Sequence, residues 1–198
     1  MAFDAPLPGQ TPLADLSGLR LRHVRTTAEL NGAEAENIRR AVLKYLAARP
    51  SPRSAPFDAR WMRRLHREMF GRVWSWAGDL RRHETNIGAP PAAIEAGLHA
   101  LALDLPAWRA SGMGTLEQAA LLHHRAVALH PFANGNGRWS RMLANVLLRR
   151  DGAGVVEWPD STIGAASPVR ERYLRALRAA DAGDIRALAD LHAEFLVP

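Results

Sequence analysis

Apolar residues recur at helical spacing through most of this chain, and each run is bounded by residues that stop a helix. Trp139, Met142, Leu143, Val146 and Leu147 fall at i, i+3, i+4, i+7 and i+8 before Asp151 and Gly152 end the run. Trp61, Met62, Leu65 and Met69 repeat in the same way, with Asp58 where an N-cap belongs and Gly71 at the C-terminal end. Ile38, Ala41, Val42, Tyr45 and Leu46 mark one face of a helix starting near Thr27, which the stretch ARPSPRSAP breaks. Leu116 to Leu129 is apolar and helix-compatible. Ile94, Leu98, Leu101, Leu105 and Trp108 form another stripe, which Pro106 is expected to kink or shorten. Ser167 and Pro168 open a helix carrying Val169, Tyr173 and Leu177. Asp184 is placed to cap a last one with Ile185, Leu188, Leu191 and Phe195.

These runs predict an all-α fold of about six to eight helices, with residues 1–25 as an irregular segment and residues 26–198 as a single domain. RRHETNIGAPP, from residue 81, loses the helical period without becoming a proline-rich linker, so a short hairpin or loop is expected near residues 81–90.

Composition narrows the class. With 198 residues, 47% of them hydrophobic, the chain is long enough for one real core. No apolar run approaches the roughly 18 to 20 residues that span a bilayer, and the N-terminus lacks the basic and apolar regions of a secretion signal. Cysteine is absent, which excludes disulfides, thiolate nucleophiles and cysteine-held zinc and points to a reducing cytoplasm. The net charge of +6 suggests affinity for anions. Nearly all the positive charge is arginine, Lys44 being the only lysine, and it is spread out without aromatic interleaving, which argues against direct nucleic-acid binding.

The chemistry concentrates in HPFANGNGRWSR, residues 130 to 141. Gly135 and Gly137 let the backbone turn its amides inward, and the helix that follows points its positive end at the same spot. Arg138 lies in the first turn and Arg141 one turn on, so both guanidinium groups reach one face and suit the oxygens of a polyphosphate. His130 stands at the loop's entrance, the one side chain there able to act as a general base near neutrality. His123 and His124 lack zinc-site spacing and read as structural, and Trp74 and Trp76 read as packing.

His130, Pro131, Phe132, Gly135, Asn136, Gly137, Arg138 and Arg141 resemble the signature HPFx(D/E)GNGRxxR of Fic domains. Residues 65–88 are similar to the segment leading into the family's β-hairpin flap, and residues 173–184 to its closing helix. The pattern covers about residues 25–195 and, with ELNGAEAENI, is most similar to the subgroup called mobile mystery protein B. The resemblance implies a Fic-type helical domain and a protein adenylyltransferase that moves AMP from ATP to a hydroxyl side chain of a target protein. It makes His130 the base, Gly135, Asn136, Gly137, Arg138 and Arg141 the phosphate-binding residues, and Thr85, Asn86 and Ile87 in the flap the target-docking residues. It also implies a small helix-turn-helix partner protein.

Two positions bear on activity and control. Where the family carries an acidic residue that holds Mg2+ (or Mn2+), this chain has Asn134, whose amide oxygen brings no charge, so metal binding is expected to be weak and transfer slowed. The family's inhibitory motif, (S/T)xxxE(G/N), is matched at its end by Glu36 and Asn37 in a helix of about residues 27–48, which makes Glu36 the expected partner of Arg141, with Glu34 a nearby competitor. Alternatives are a transferase of the same fold moving UMP, phosphocholine or another phosphate-containing group, and a weakly catalytic nucleotide-binding regulator acting with the DNA-binding partner.

Overall fold

The computed structural model describes residues 16–159 and 167–198. Seven helices stand among them: α1 (Thr27–Leu46), α2 (Ala59–Phe70), α3 (Pro91–Ala110), α4 (Thr115–Leu129), α5 (Asn136–Arg150), α6 (Pro168–Asp181) and α7 (Arg186–Glu194). Two short antiparallel strands complete the described fold, β1 (Val155–Val156) paired with β2 (Leu196–Val197).

The helix starts follow from local chemistry. Thr26 and Glu29 form a reciprocal capping box at α1, Asp58 accepts from the Trp61 N–H at 2.6 Å at α2, and Ser167 accepts from Arg170 N at 3.1 Å before Pro168 opens α6. At the far end, Asp184 accepts from Arg186 N at 3.1 Å, one residue ahead of the Ile185 cap.

Helix α5 runs through the middle of the core. Trp139, Leu143, Val146 and Leu147 are fully buried, and the Trp139 indole N–H donates to the Met62 carbonyl at 3.0 Å. Helices α1, α2 and α4 pack around it, and α3 and α7 flank α4. Burying each large apolar side chain contributes about 1.5–3 kcal/mol, so truncating any of these α5 residues would cost roughly 2–5 kcal/mol.

Three expectations change. The buried face of α1 is Leu30, Glu34, Asn37, Ala41 and Tyr45, whereas Val42 is 36% exposed, so the helix is rotated from the stripe its apolar residues suggest. Asn37 explains the rotation: its amide accepts from Arg72 N at 2.9 Å and donates to the Glu68 carbonyl at 2.8 Å, which pins this polar residue against the end of α2. Helix α3 continues through Pro106 to Ala110, with Leu101 and Leu105 holding the turns before the proline in the core. Residues 81–90 form a loop of bends and not a paired hairpin: Arg81 N and Ala89 N donate to the Pro131 and Leu129 carbonyls, and the carbonyls of His83, Ile87 and Ala89 accept from side chains of the loop itself.

Candidate active site

Helix α4 ends at His130, which takes a left-handed conformation, φ 50° and ψ 58°, and reverses the chain toward α5. A non-glycine residue in that region costs of order 1–3 kcal/mol, and the surrounding contacts hold it there. The loop that follows is closed by Asn136. Its side-chain oxygen accepts from Phe132 N at 2.9 Å and its amide donates to the Phe132 carbonyl at 2.8 Å. The Asn136 side chain is therefore a buried brace of the loop.

Gly135 begins α5 with φ 79°, and a Cβ there would meet the Phe70 ring at 2.7 Å, so glycine is required on two counts. His66 holds the loop from below. Its ring stacks on Phe132 with centroids 3.7 Å apart, it accepts from Gly78 N at 3.0 Å, and its Nε2 lies 3.0 Å from the Asn134 carbonyl. With one nitrogen accepting, the other must carry the proton it gives to Asn134, so the ring is neutral; burial keeps its pKa down to about 3.

His130 is buried, with its pKa lowered to about 4, chiefly by desolvation and then by the charge of Arg81, against a hydrogen bond to the Val127 backbone. It is thus an uncharged imidazole at neutral pH, the form that accepts a proton. The residue 81–90 loop clasps it from both sides. Arg81 N donates to the Pro131 carbonyl at 3.0 Å, and Ala89 N to the Leu129 carbonyl at 3.3 Å. The Arg81 guanidinium donates to the carbonyls of His130 at 2.7 Å, His83 at 3.0 Å and Ala89. Gly88, φ 109°, packs its backbone against the His130 side chain. Thr85 folds the loop tip on itself by donating to the Ile87 carbonyl at 2.6 Å, and Asn86 between them is exposed.

The first turn of α5 directs its amide N–H groups and positive dipole end toward the loop, and Arg138 rises from the same turn. Arg138 lies over the Phe70 ring at 4.9 Å and pairs with Glu34 at 2.5 Å. The other Glu34 oxygen accepts from the Trp74 indole at 2.6 Å, so a buried carboxylate from α1 meets the first turn of α5 with both oxygens engaged. Arg141, one turn on, places its charge beside the Tyr173 hydroxyl of α6.

The expected pair of Glu36 with Arg141 is not formed. Glu36 lies on the solvent side of α1, ion-paired to Arg39 at 3.0 Å and Arg40 at 3.2 Å. Two residues correspond to about 200° around a helix, so Glu34 and Glu36 cannot face the same way, and the rotation set by Asn37 selects Glu34. Helical phase with Leu30, Ala41 and Tyr45 points to Glu34; the contacts by which Arg81 holds His130 and His66 holds Asn134 carry no local signal, because they span 49 and 68 residues.

The Asn134 side-chain oxygen accepts from Gly135 N at 2.6 Å, and among the described residues no group of three or more acidic, histidine or cysteine side chains gathers for a metal. No helix of the described residues is long and apolar enough to cross a membrane.

Residues 56–148 match the Fic/DOC family. Protein adenylyltransferase Fic of Drosophila ananassae is 35% identical over 127 residues, covering 62% of this chain and 24% of that protein. The chain thus spans about a quarter of the length of the curated relatives it matches. Among solved structures, residues 134–508 of Fic-1 from C. elegans superpose with a TM-score of 0.71 at 23% identity, covering 88% of this chain and 51% of that one. The N-terminal Fic domain of a VirB-translocated Bep effector protein from Bartonella quintana with bound ADP superposes with a TM-score of 0.65 at 21% identity, covering 89% of each chain. At these identities the structures establish the fold.

Proposed function

We infer, from the premise that residues 56–148 form a domain of the Fic/DOC family, that this protein is a protein adenylyltransferase restrained by its own α1 helix. What supports the reading is a neutral imidazole at the entrance of a loop that opens a helix N-terminus, with Arg138 in the first turn of that helix and Arg141 one turn on. ATP is the substrate. Its phosphates lie on the amides that open α5 and on the two arginines, and Asn86 and its neighbours in the loop of residues 81–90 receive the target segment.

Neutral His130 takes the proton from a target hydroxyl as that oxygen attacks the α-phosphorus. The new P–O bond joins AMP to the target, the bond to the β-phosphate oxygen breaks, and pyrophosphate leaves with the charge spread over Arg138 and Arg141. His130 then gives its proton to solvent. Buried Glu34 opposes this sequence, because it holds Arg138 and puts a carboxylate where phosphate oxygens would lie. Absence of cysteine favours a reducing cytoplasm as the setting.

The Asn134 geometry favours a second reading in which the moved group is another phosphate-containing one with a smaller need for metal. Both readings are tested by incubating wild type, Glu34→Gly and Glu34→Gly/His130→Ala with α-labelled ATP and cell lysate. Label carried by protein with Glu34→Gly and lost with His130→Ala supports adenylyl transfer. ATP binding without label transfer in all three variants overturns it, and mass analysis of the target then identifies any other group added.

A further inference from the structure

Behind the cradle, α4, α6 and α7 bury two histidines and a tyrosine in one connected line. His192 and His123 are fully buried and Tyr173 is 6% exposed, and the Trp158 ring packs edge-on against all three at 5.0 to 5.7 Å. His192 Nδ1 lies 2.8 Å from the Leu188 carbonyl, His123 Nδ1 lies 3.3 Å from His192 Nε2, and His123 Nε2 lies 3.0 Å from the Tyr173 hydroxyl. The Arg141 charge lies beside that same hydroxyl and offsets part of the rise that burial gives its pKa.

The direction of every proton in this line follows from its last acceptor. A carbonyl only accepts, so His192 Nδ1 carries a proton. Burial keeps both rings uncharged, which leaves His192 Nε2 as an acceptor and makes His123 Nδ1 its donor. His123 Nε2 is then bare and accepts from the Tyr173 O–H. With its single proton committed, Tyr173 offers only lone pairs on its other side, which is what a guanidinium, a donor without acceptor capacity, requires.

We propose that Tyr173, His123 and His192 form a unidirectional hydrogen-bond relay whose role is to present an acceptor to Arg141 and so hold its guanidinium in the orientation that receives phosphate. They are positioning residues acting through Arg141, and this role rests on the nucleotide reading given above. The orientation itself is a property of the protein without nucleotide. An arginine reaching the cradle from one turn into α5 has four rotatable bonds, and a fixed acceptor removes the freedom that would otherwise be lost when ligand binds. The same line explains why a histidine pair with no place in a metal site is buried at all.

The first test is long-range proton–nitrogen NMR on the 15N-labelled wild-type chain, which reads tautomers directly. Nδ1-protonated, Nε2-bare rings at both His123 and His192 are expected at neutral pH. A proton on Nε2 of either ring, or an imidazolium, overturns the relay. The second is the Arg141 side-chain signal, whose Nη resonances are expected to be resolved in wild type and averaged by rotation in Tyr173→Phe. Insensitivity of that signal to Tyr173→Phe overturns the positioning role.

The third is a cycle of ATP, ADP and AMP affinities. Tyr173→Phe should weaken ATP and ADP by about tenfold and AMP by less than about twofold, with under about twofold further effect in Arg141→Ala. His123→Gln, which still accepts the Tyr173 proton, should retain ATP affinity where His123→Leu loses it. Equal losses for all three nucleotides, or the same loss in Arg141→Ala, would mean a structural role alone. If wild type binds no nucleotide while the tautomers and the Arg141 signal are as stated, the nucleotide reading fails and the relay stands.

Discussion

Glu34 lies 2.5 Å from the Arg138 guanidinium across 104 residues of sequence, while Glu36, two positions along the same helix, reaches only Arg39 and Arg40. Glu34→Gly should therefore raise the initial rate of transfer about tenfold or more, whereas Glu36→Gly should change it less than about twofold. Label transfer under identical nucleotide concentrations checks both. The release has a stability cost, since Arg138 loses its partner and the Trp74 indole its acceptor, of about 3 kcal/mol by urea unfolding; Glu34→Gln, which keeps the indole's acceptor, should lose less.

Arg81 ties three carbonyls, those of His130, His83 and Ala89, and no other side chain has the fork to replace it. Arg81→Lys is expected to cost about 2–3 kcal/mol, speed amide exchange across residues 82–90 and lower the transfer rate about 100-fold as His130 loses its fixed orientation. Hydrogen exchange and single-turnover rates measured on one preparation test these effects together.

Four buried histidines make stability depend on pH. His66 has its pKa lowered to about 3, His130 and His192 to about 4, and His123 well below its ordinary value, all chiefly through burial. The unfolded chain binds their protons near pH 6.5 and the folded chain does not until much lower pH. Stability is therefore complete above about pH 6.5 and lost as pH falls, down to about 4 for His130 and His192 and about 3 for His66, by up to about 1.4 kcal/mol per pH unit for each ring. Urea midpoints at pH 7.5, 6 and 5 should decline steadily. The acid limb of the transfer rate in free enzyme should lie nearer pH 4 than 6.5, because His130 stays a base down to its own pKa.

At Gly135 an alanine Cβ would stand 2.7 Å from the Phe70 ring at φ 79°. Gly135→Ala should lower stability by about 1–3 kcal/mol and weaken ATP by about tenfold or more, as the loop and the first turn of α5 shift. Calorimetry and nucleotide titration measure the two effects. Phe70→Leu in the same chain should restore only part of the stability, since it relieves the contact but not the backbone strain.

Asn134→Asp supplies the carboxylate that the loop lacks. The magnesium concentration giving half-maximal transfer is expected to fall about tenfold in this variant, read in the Glu34→Gly background where transfer is released. An unchanged magnesium dependence would mean that the phosphates alone hold the metal.

Much of this molecule is determined by local sequence. The helices follow from apolar spacing and from Thr26, Asp58, Ser167 and Pro168 at their starts, because capping and periodicity involve residues within one or two turns. The order His130, Gly135, Gly137, Arg138, Arg141 likewise puts these residues on one loop and the first two turns of one helix, the local pattern from which an anion cradle is proposed.

What the tertiary structure alone decided is which distant groups complete that cradle. Helix α1 offers Glu34 and Glu36 on opposite sides, and its apolar residues favour a stripe that the Asn37 contacts with Glu68 and Arg72 override. Arg81 finds its acceptors through loop closure, and His123 meets Tyr173 and His192 only when helices 50 and 69 residues apart dock side by side. Each of these partnerships depends on the rotation of one helix against another, a quantity set by packing over the whole core and carried by no single stretch of sequence.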